Sequence, residues 1–169
     1  MQDDASDGSE TILQNWAKND SRIRIIKGPG KGVVKSFENA FRHCRGDIIF
    51  LSDQDDVWLP GKLARGLRRM GATEDSPVLY AAESALADAE GQPFGISRAG
   101  RAQPSFAASL VQNLFGGHTT MFNAAMLDLL RAAGPQAGLV FHDWWIYQLA
   151  AGAEARLVLD PAPMALYRQ

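Results

Sequence analysis

The sequence predicts an α/β domain in which a mostly parallel sheet is flanked by helices. Its 169 residues suit one domain with a single hydrophobic core. Helical and strand-like segments alternate through the first half, a pattern typical of parallel strands joined by crossover helices. Residues 48–51 form a continuous apolar run, as expected of a strand that is covered on both faces.

The first half reads as helix, strand, helix, strand, helix. Ser9 is suited to cap a first helix that carries Ile12, Leu13 and Trp16 on one face. The segments that follow are a β-branched strand at 23–26, a glycine-rich turn at 28–32, a helix at Val33–His43, the strand at 48–51 and a basic helix at 60–70.

The second half is less regular. Its expected elements are a strand at 77–82, a hairpin-like turn through Glu90 and Gly91, a helix at 106–113, a strand at 119–122, helices at Ala124–Ala133 and 143–151, and a strand at 154–159.

Composition excludes several classes of protein. Seventeen basic against nineteen acidic residues give a net charge of 17 − 19 = −2, which offers no electrostatic reason to bind nucleic acid. The single cysteine, Cys44, can form neither an intrachain disulfide nor a cysteine zinc site. The acidic, polar start does not resemble a signal peptide, and no apolar run spans a bilayer. A cytoplasmic domain is expected.

An acidic loop directly follows the apolar strand. Asp53, Asp55 and Asp56 lie within four residues, where their charges repel one another unless a cation neutralises them. Oxygen ligands of this kind suit Mg²⁺ or Mn²⁺. The alternative is a solvated turn in which Asp56 caps a helix. Trp58 and Pro60, directly after the loop, favour a rigid loop and thus the metal site.

The segment IIFLSDQDDVWLPGKL resembles the Asp-x-Asp region of family 2 glycosyltransferases, and most closely their rhamnosyltransferase-like branch. Further segments agree with this family in order and spacing. They are the nucleotide-contacting DDASDGS at 3–9, the acceptor-side GGHTTMFN at 116–123, the base-carrying FHDWW at 141–145 and the start of a closing motif, LYRQ, at 166–169. The resemblance implies the A-type fold, a Rossmann-like nucleotide-diphospho-sugar transferase.

The resemblance, together with the chemistry of the residues, implies a set of site residues. These are a catalytic base at Asp143, nucleotide or donor contacts at Asp3, Asp4, Asp53 and Lys35, acceptor contacts at Gly117, His118, Thr119 and Trp144, and metal ligands at Asp55, Asp53 and Asp56. Asp55 is the first choice of ligand for the Mg²⁺ or Mn²⁺ ion. Asp143 is expected to face the acidic loop. Phe37 and Glu38 stand where the family often has an arginine and an asparagine. Lys35 and Lys31 are nearby substitutes for that arginine contact, although a solvated face is favoured for both. A backbone-bonded loop histidine is the alternative for His118.

The implied reaction is inverting sugar transfer from a nucleotide-diphospho-sugar to a saccharide or lipid-linked acceptor, in cell-surface polysaccharide synthesis. Residues 1–75 are expected to bind the nucleotide sugar and residues 76–169 the acceptor. The family's opening strand and helix are missing from this sequence, so the first strand of the sheet is expected to be absent.

Two other functions remain open. The chain could be a noncatalytic, truncated remnant that only binds nucleotide or glycan. A haloacid-dehalogenase-like phosphatase with Asp53 as nucleophile fits the order of the motifs poorly. On the basic helix, Lys62, Arg65 and Arg69 share one face. We expect this face to be solvated, with phospholipid contact at the inner face of the membrane as the alternative.

Overall fold

The computed structural model describes residues 7–71, 76–97 and 102–169. Asp3 and Asp4, predicted to contact the nucleotide, lie outside the described residues. The elements are α1 (Ser9–Asn19), α2 (Val33–His43), β1 (Ile48–Phe50), β2 (Val57–Trp58), α3 (Lys62–Met70), β3 (Val78–Ala87), β4 (Pro93–Ile96), α4 (Phe106–Ser109), a 3₁₀ turn (Gly117–Thr119), β5 (Met121–Asn123), α5 (Ala124–Ala133), α6 (His142–Gly152) and β6 (Arg156–Arg168).

The chain packs as two compact units. The first contains Met1–Cys44 and Gly134–His142, and the second contains Arg45–Ala133 and Asp143–Gln169. This division by packing does not coincide with the predicted functional division after residue 75. The functional roles of the two predicted halves therefore stay a prediction.

In the first unit, α2 carries the polar contacts to the segment 134–142. Lys35 Nζ forms an ion pair with Glu38 at 2.7 Å and donates to the carbonyl of Gln136 at 3.0 Å. The ring of Phe37 stacks on that of His142, with centroids 3.8 Å apart. Residues 23–26, expected as a strand, are irregular, so β-branched composition alone did not decide their structure.

The second unit contains the sheet of the described residues, with strand order β1-β5-β3-β6-β2 and β4 paired to β3. The mixed α/β class is confirmed, but the expected mostly parallel pairing is wrong. Only β3 and β6 run parallel, and the other four pairings are antiparallel. The tight turn through Gly91, with φ of 81°, makes β3 and β4 a hairpin and hence antiparallel.

Helix α3 packs closely on the sheet. Its buried residues Lys62, Gly66 and Met70 are spaced four apart, so they share the inward face. A side chain at Gly66 would overlap the thioether end of Met121, which would then have to shift within the core. The core beneath α3 consists of Met70, Val78, Tyr80, Ala82 and Met121.

The last strand differs most from its predicted length. It continues past Pro161 and Pro163 to Arg168, whereas the prolines suggested an end near 159. The pairing of β3 with β6 shifts register on both sides of Glu83, which lies opposite Pro163. These irregularities accommodate prolines, which cannot donate to the ladder. The predicted helix at 106–113 is confined to Phe106–Ser109. Within the described ranges, no helix has the length and apolar character needed to cross a membrane.

Candidate functional site

The acidic loop connects β1 to β2 and is fastened at three points. The amide of Leu51 donates to the carbonyl of Thr120 at 3.0 Å, at the end of β1. Val57 and Trp58 pair with β6 at the other end of the loop. Between them, Arg168 Nε donates to the backbone carbonyl of Asp55 at 2.6 Å. The loop is thus held by Thr120 at one end and by β6 in its middle and at the other end.

Two carboxylates and one imidazole meet at this loop. Asp53, Asp56 and His118 each place one potential ligand atom within 4.8 Å of the others. The side chain of Asp56 is 0% exposed, and neither of its oxygens accepts a hydrogen bond of normal geometry from the described residues. Asp55, the first choice of metal ligand, is exposed and lies outside this group. Its role as a ligand stays a prediction.

The electrostatics of this group are unfavourable without a further cation. Burial, followed by the charges of Asp53 and Asp55, raises the pKa of Asp56 to about 6, although Lys62 and the Arg168 backbone favour ionisation. Burial also raises the pKa of Asp53, and the charges of Asp55 and Asp143 add to this effect. Carboxylates that lie close together in a partly desolvated site repel one another when ionised, and this repulsion favours their protonated forms.

Lys62 lies beside the carboxylates and is buried, so the expected solvated position is wrong for this residue of the basic face. Its Nζ donates to the carbonyl of His118 at 2.7 Å and lies 4.0 Å from the centre of the Trp58 ring. Burial lowers the pKa of Lys62 to about 8, while Asp56 and Asp53 favour its charged form. Arg65 and Arg69 of α3 keep part of their side chains in solvent and form ion pairs with a second buried aspartate, Asp160.

His118 is held at its Nε2 and on one face of its ring, and its Nδ1 lies toward Asp56. Its Nε2 lies 2.5 Å from Ser84 Oγ, and its Nδ1 lies 4.0 Å from Asp56 Oδ2. The ring stacks on Tyr167 of β6, with centroids 4.7 Å apart and an interplanar angle of 13°. The turn Gly117–Thr119 that carries His118 ends one residue before β5.

Asp143 lies in the first turn of α6 and is tied to the same turn. Its Oδ2 accepts from the amide of Gly117 at 2.9 Å, and its Oδ1 accepts from the amide of Trp144 at 2.8 Å. The charge of Asp143 raises the pKa of Asp53, so Asp143 lies close enough to the acidic loop to interact with it electrostatically.

The other predicted acceptor residues are engaged within the protein. Trp144 Nε1 donates to the carbonyl of Ser109 at 2.6 Å, and the hydroxyl of buried Thr119 donates to Gly116 at 3.2 Å. Lys35 belongs to the first unit, in the ion pair described above. Their contacts with a donor or an acceptor stay predictions.

Sequence reasoning missed three residues of the site. The charge pattern predicts a solvated Lys62, Tyr167 enters only through the closing motif, and no motif includes Ser84. The signal for Lys62 was its spacing of four and eight residues from Gly66 and Met70. No pattern in the sequence marks Ser84, because its partner His118 is 34 residues away.

The donor set fits a divalent cation. Carboxylate oxygens suit Mg²⁺ and Mn²⁺, and an imidazole nitrogen suits transition metals. The buried oxygens of Asp56 offer the independent indication, because such groups normally find a partner. A cation at this place would satisfy these oxygens and offset the repulsion between Asp53 and Asp56.

The comparisons with known proteins agree with this architecture. The chain resembles a solved mannosyltransferase from Pyrobaculum calidifontis, in complex with GDP-Man and Mn²⁺, with a TM-score of 0.63 at 16% identity. The match covers 97% of this chain but 45% of that one. The fold is therefore the A-type glycosyltransferase fold, as predicted.

The family follows from the sequence itself. Residues 1–126 match glycosyl transferase family 2, and the chain belongs to this family. No curated protein matches the sequence significantly.

Proposed function

We propose that the chain belongs to a glycosyltransferase that moves a sugar from a nucleotide-diphospho-sugar to a saccharide or lipid-linked acceptor. The observation that carries the proposal is the group of Asp53, Asp56 and His118, with Asp56 buried and unsatisfied, in a member of family 2. The similar mannosyltransferase holds GDP-Man and Mn²⁺, which supports a nucleotide sugar and Mn²⁺ or Mg²⁺ here. The motifs resembling the rhamnosyltransferase-like branch support a role in cell-surface polysaccharide synthesis.

In this proposal the acidic loop binds the cation and the donor. Asp53 and Asp56 hold the ion, and Asp55 is the third carboxylate of the predicted set, open to solvent. A bound divalent cation stabilises the negative charge that develops on a leaving diphosphate. Asp3, Asp4 and Lys35 remain the proposed contacts to the nucleotide. Residues 1–75 remain the proposed nucleotide-sugar part and 76–169 the acceptor part.

Asp143 is the proposed general base. It accepts from two backbone amides, at Gly117 and Trp144, which fix the direction of its carboxylate at the start of α6. The helix dipole there favours the ionised form that a base requires. A single base acting on the acceptor hydroxyl supports direct displacement with inversion. Gly117 and Trp144 donate their amides to Asp143 and, with Thr119 and His118, remain the proposed acceptor side.

The proposed location is the cytoplasm, with peripheral contact at the inner membrane face. Leu63 and Leu67 are each 45% exposed, and they lie one helical turn apart on the outer side of α3. The exposed Arg68 follows them. Exposed leucines next to a basic residue support binding to an anionic lipid surface.

The first test is binding of nucleoside diphosphates to the purified chain. We expect GDP, UDP or dTDP to bind by calorimetry in the presence of MnCl₂ and not after chelation. Asp56→Asn should abolish the Mn²⁺-dependent binding, because it removes a charged ligand from the group. The matched control is Asp128→Asn, at a side chain that is 74% exposed on α5. Equal binding by wild type and Asp56→Asn, or no binding by wild type, would contradict the proposal.

A second measurement separates an enzyme from a noncatalytic binder. Asp143→Asn keeps the shape of the side chain and removes its basicity. We expect it to retain nucleotide binding and to lower kcat about 10²–10⁴-fold, the usual contribution of a general base. Nucleotide binding by wild type without any sugar transfer would instead support the remnant. Turnover by Asp143→Asn near the wild-type rate would assign the base to another residue.

A further inference from the structure

We propose that His118 is a nitrogen ligand of the cation, held in place by Ser84, and that it makes the site prefer Mn²⁺ over Mg²⁺. This inference rests on the proposed function, because it assumes that the cation binds at the acidic loop. It goes beyond the predicted site, in which the metal ligands are carboxylates alone and His118 contacts the acceptor.

The position of His118 is the first argument. Its Nδ1 lies 4.0 Å from Asp56 Oδ2, which is too long for a hydrogen bond. A histidine that served only to satisfy Asp56 would be placed within about 3 Å of it. Two ligands that share one small cation, each about 2.0–2.2 Å from it, lie about 3–4 Å apart. The separation therefore fits two ligands of one ion better than a donor and its acceptor.

The far side of the ring supplies the second argument. Metal-binding histidines commonly donate their other ring N–H to a fixed acceptor, which sets the tautomer and the direction of the ring. Ser84 Oγ lies 2.5 Å from Nε2, and Ser84 is 1% exposed, so this partner is fixed within β3. With the proton on Nε2, the lone pair of Nδ1 points to the side where Asp56 lies.

Two further contacts limit the movement of His118. Tyr167 of β6 stacks against the ring, and Lys62 of α3 donates to the backbone carbonyl. The residue is thus restrained by three elements besides its own turn. Such restraint is expected of a metal-binding side chain that must keep its position while the ion and the substrate bind and leave.

The chemistry of the donor set predicts the selectivity. Mg²⁺ prefers oxygen ligands, whereas imidazole nitrogen is a common ligand of first-row transition metals. A site with two carboxylates and one imidazole should therefore prefer Mn²⁺ over Mg²⁺ more strongly than a site that has carboxylates alone. Replacing the nitrogen by an amide oxygen should reduce the preference for Mn²⁺.

The test uses the purified chain and MnCl₂ without nucleotide. We expect pulsed electron paramagnetic resonance of the Mn²⁺-loaded chain to show coupling to an imidazole nitrogen. The coupling should change from ¹⁴N to ¹⁵N when histidine is isotopically labelled. This measurement needs no variant, so it does not depend on the folding of a mutant. His118→Gln should lose the coupling, whereas His43→Gln, at a histidine of the first unit that is exposed, should keep it.

The affinities give a second readout. We expect His118→Gln to lower the ratio of Mn²⁺ to Mg²⁺ affinity about tenfold. Ser84→Ala should weaken Mn²⁺ binding about 10–100-fold while leaving the fold intact, as for other partners of metal-bound histidines. Ser109→Ala is the matched control, because Ser109 is also buried and its hydroxyl donates to the carbonyl of Phe106.

The outcomes separate this inference from the proposed function. Mn²⁺ bound without nitrogen coupling would overturn the role of His118 and leave a carboxylate site, consistent with the proposed function. Absence of Mn²⁺ binding, with and without GDP, UDP or dTDP, would overturn both. An affinity ratio unchanged in His118→Gln would overturn the proposed selectivity.

Discussion

Asp56 and Asp160 are two aspartates of the same unit whose side chains are both 0% exposed, yet their surroundings are opposite. Asp160 accepts two hydrogen bonds from Arg65, at 2.7 and 2.8 Å, and further bonds from Tyr80 Oη and the amide of Ala162, each at 3.1 Å. Asp56 accepts none of normal geometry within the described part of the chain.

The pKa values of the two carboxyls move in opposite directions. Burial alone would raise the pKa of Asp160, but the hydrogen bonds from Arg65, Ala162 and Tyr80 outweigh it and lower the pKa. At Asp56, burial and two neighbouring carboxylates raise the pKa to about 6. Arg65 forms an ion pair with Asp160, whereas Lys62 favours the ionisation of Asp56 through its charge, and the proposed site adds a divalent cation there.

The largest expected effect on the free energy of unfolding comes from removing Arg65, the side chain that pairs with Asp160. Arg65→Met leaves Asp160 buried with Tyr80 and the more distant Arg69 Nε, at 3.6 Å. Removing one partner of a buried pair costs about 3–5 kcal/mol. Because Arg65 is itself 36% exposed and Arg69 can move closer, we expect about 2–4 kcal/mol. The measurement is urea unfolding at pH 7.

The control for this prediction lies on the same helix. Arg68→Met, at an exposed position of α3, should change the free energy of unfolding by less than about 0.5 kcal/mol. Added Mn²⁺ should not restore Arg65→Met. An equal effect of both substitutions would show that the ion pair of Asp160 contributes nothing beyond an ordinary surface charge.

Much of the fold could be predicted from local patterns. The helices α2 and α5 and the hairpin turn at Gly91 lie where periodicity and turn residues placed them. Strand pairing could not be predicted in the same way. It depends on contacts between distant segments, and β5 comes to lie between β1 and β3. The pairing of Arg65 with Asp160, 95 residues apart, is equally invisible to local patterns.

The second prediction concerns Asp56, the buried aspartate that accepts no hydrogen bond of normal geometry within the described residues. In wild type, Mn²⁺ at 100 times its dissociation constant should stabilise the chain by about 2.7 kcal/mol. At about 2–4 °C per kcal/mol, this raises Tm by about 5–10 °C. Asp56→Asn should lose most of that shift, because a charged ligand is replaced by a neutral amide. Thermal unfolding with and without MnCl₂ measures it.

Asp128→Asn serves again as the control and should keep the full shift. Asp55→Asn is informative beside it, because Asp55 was the predicted first ligand but is exposed. A shift that survives Asp56→Asn and disappears in Asp55→Asn would restore the ligand set predicted from the motif. It would also show that burial at Asp56 does not mark the metal site.

The candidate site was predictable only in its contiguous part. The acidic loop follows a recognisable strand, and the motif at 141–145 contains Asp143, which is tied to Gly117. Which of Asp53, Asp55 and Asp56 lie near His118 depends on their burial in the folded chain. The sequence of the loop does not show which of the three is buried. The contribution of His118 depends on the placement of its turn against the loop, 62 residues earlier in the chain.

The smallest expected effect is on the pH dependence of the free energy of unfolding, to which the two aspartates contribute differently in the metal-free chain. The pKa of Asp56 rises from 3.8 to about 6 on folding. Between these values the unfolded chain ionises Asp56 while the folded chain keeps it protonated, so the folded state binds more protons. Stability then falls as the pH rises from about 4 to about 6, and the loss is complete above the folded pKa.

Asp160 behaves with the opposite sign and outside that window. Its pKa is lowered on folding, so its stabilisation is present above 3.8 and is lost only as the pH falls through the lower folded value. Between pH 4.5 and 7.5 its contribution is therefore nearly constant. The slope in that range reports on the acidic loop, including Asp53, whose pKa is raised for the same reasons.

Asp56→Asn isolates the contribution of one carboxyl to this slope. Relative to the variant, metal-free wild type should lose about 1–3 kcal/mol of unfolding free energy between pH 4.5 and 7.5. Saturating Mn²⁺ should reverse the loss, because a metal binds the ionised carboxylate and its binding releases the proton. The stabilisation by Mn²⁺ should therefore grow as the pH rises. Parallel pH profiles for wild type and Asp56→Asn, with and without Mn²⁺, would show that Asp56 is ionised as easily as an exposed aspartate. The contrast with Asp160 would then lie in hydrogen bonding alone.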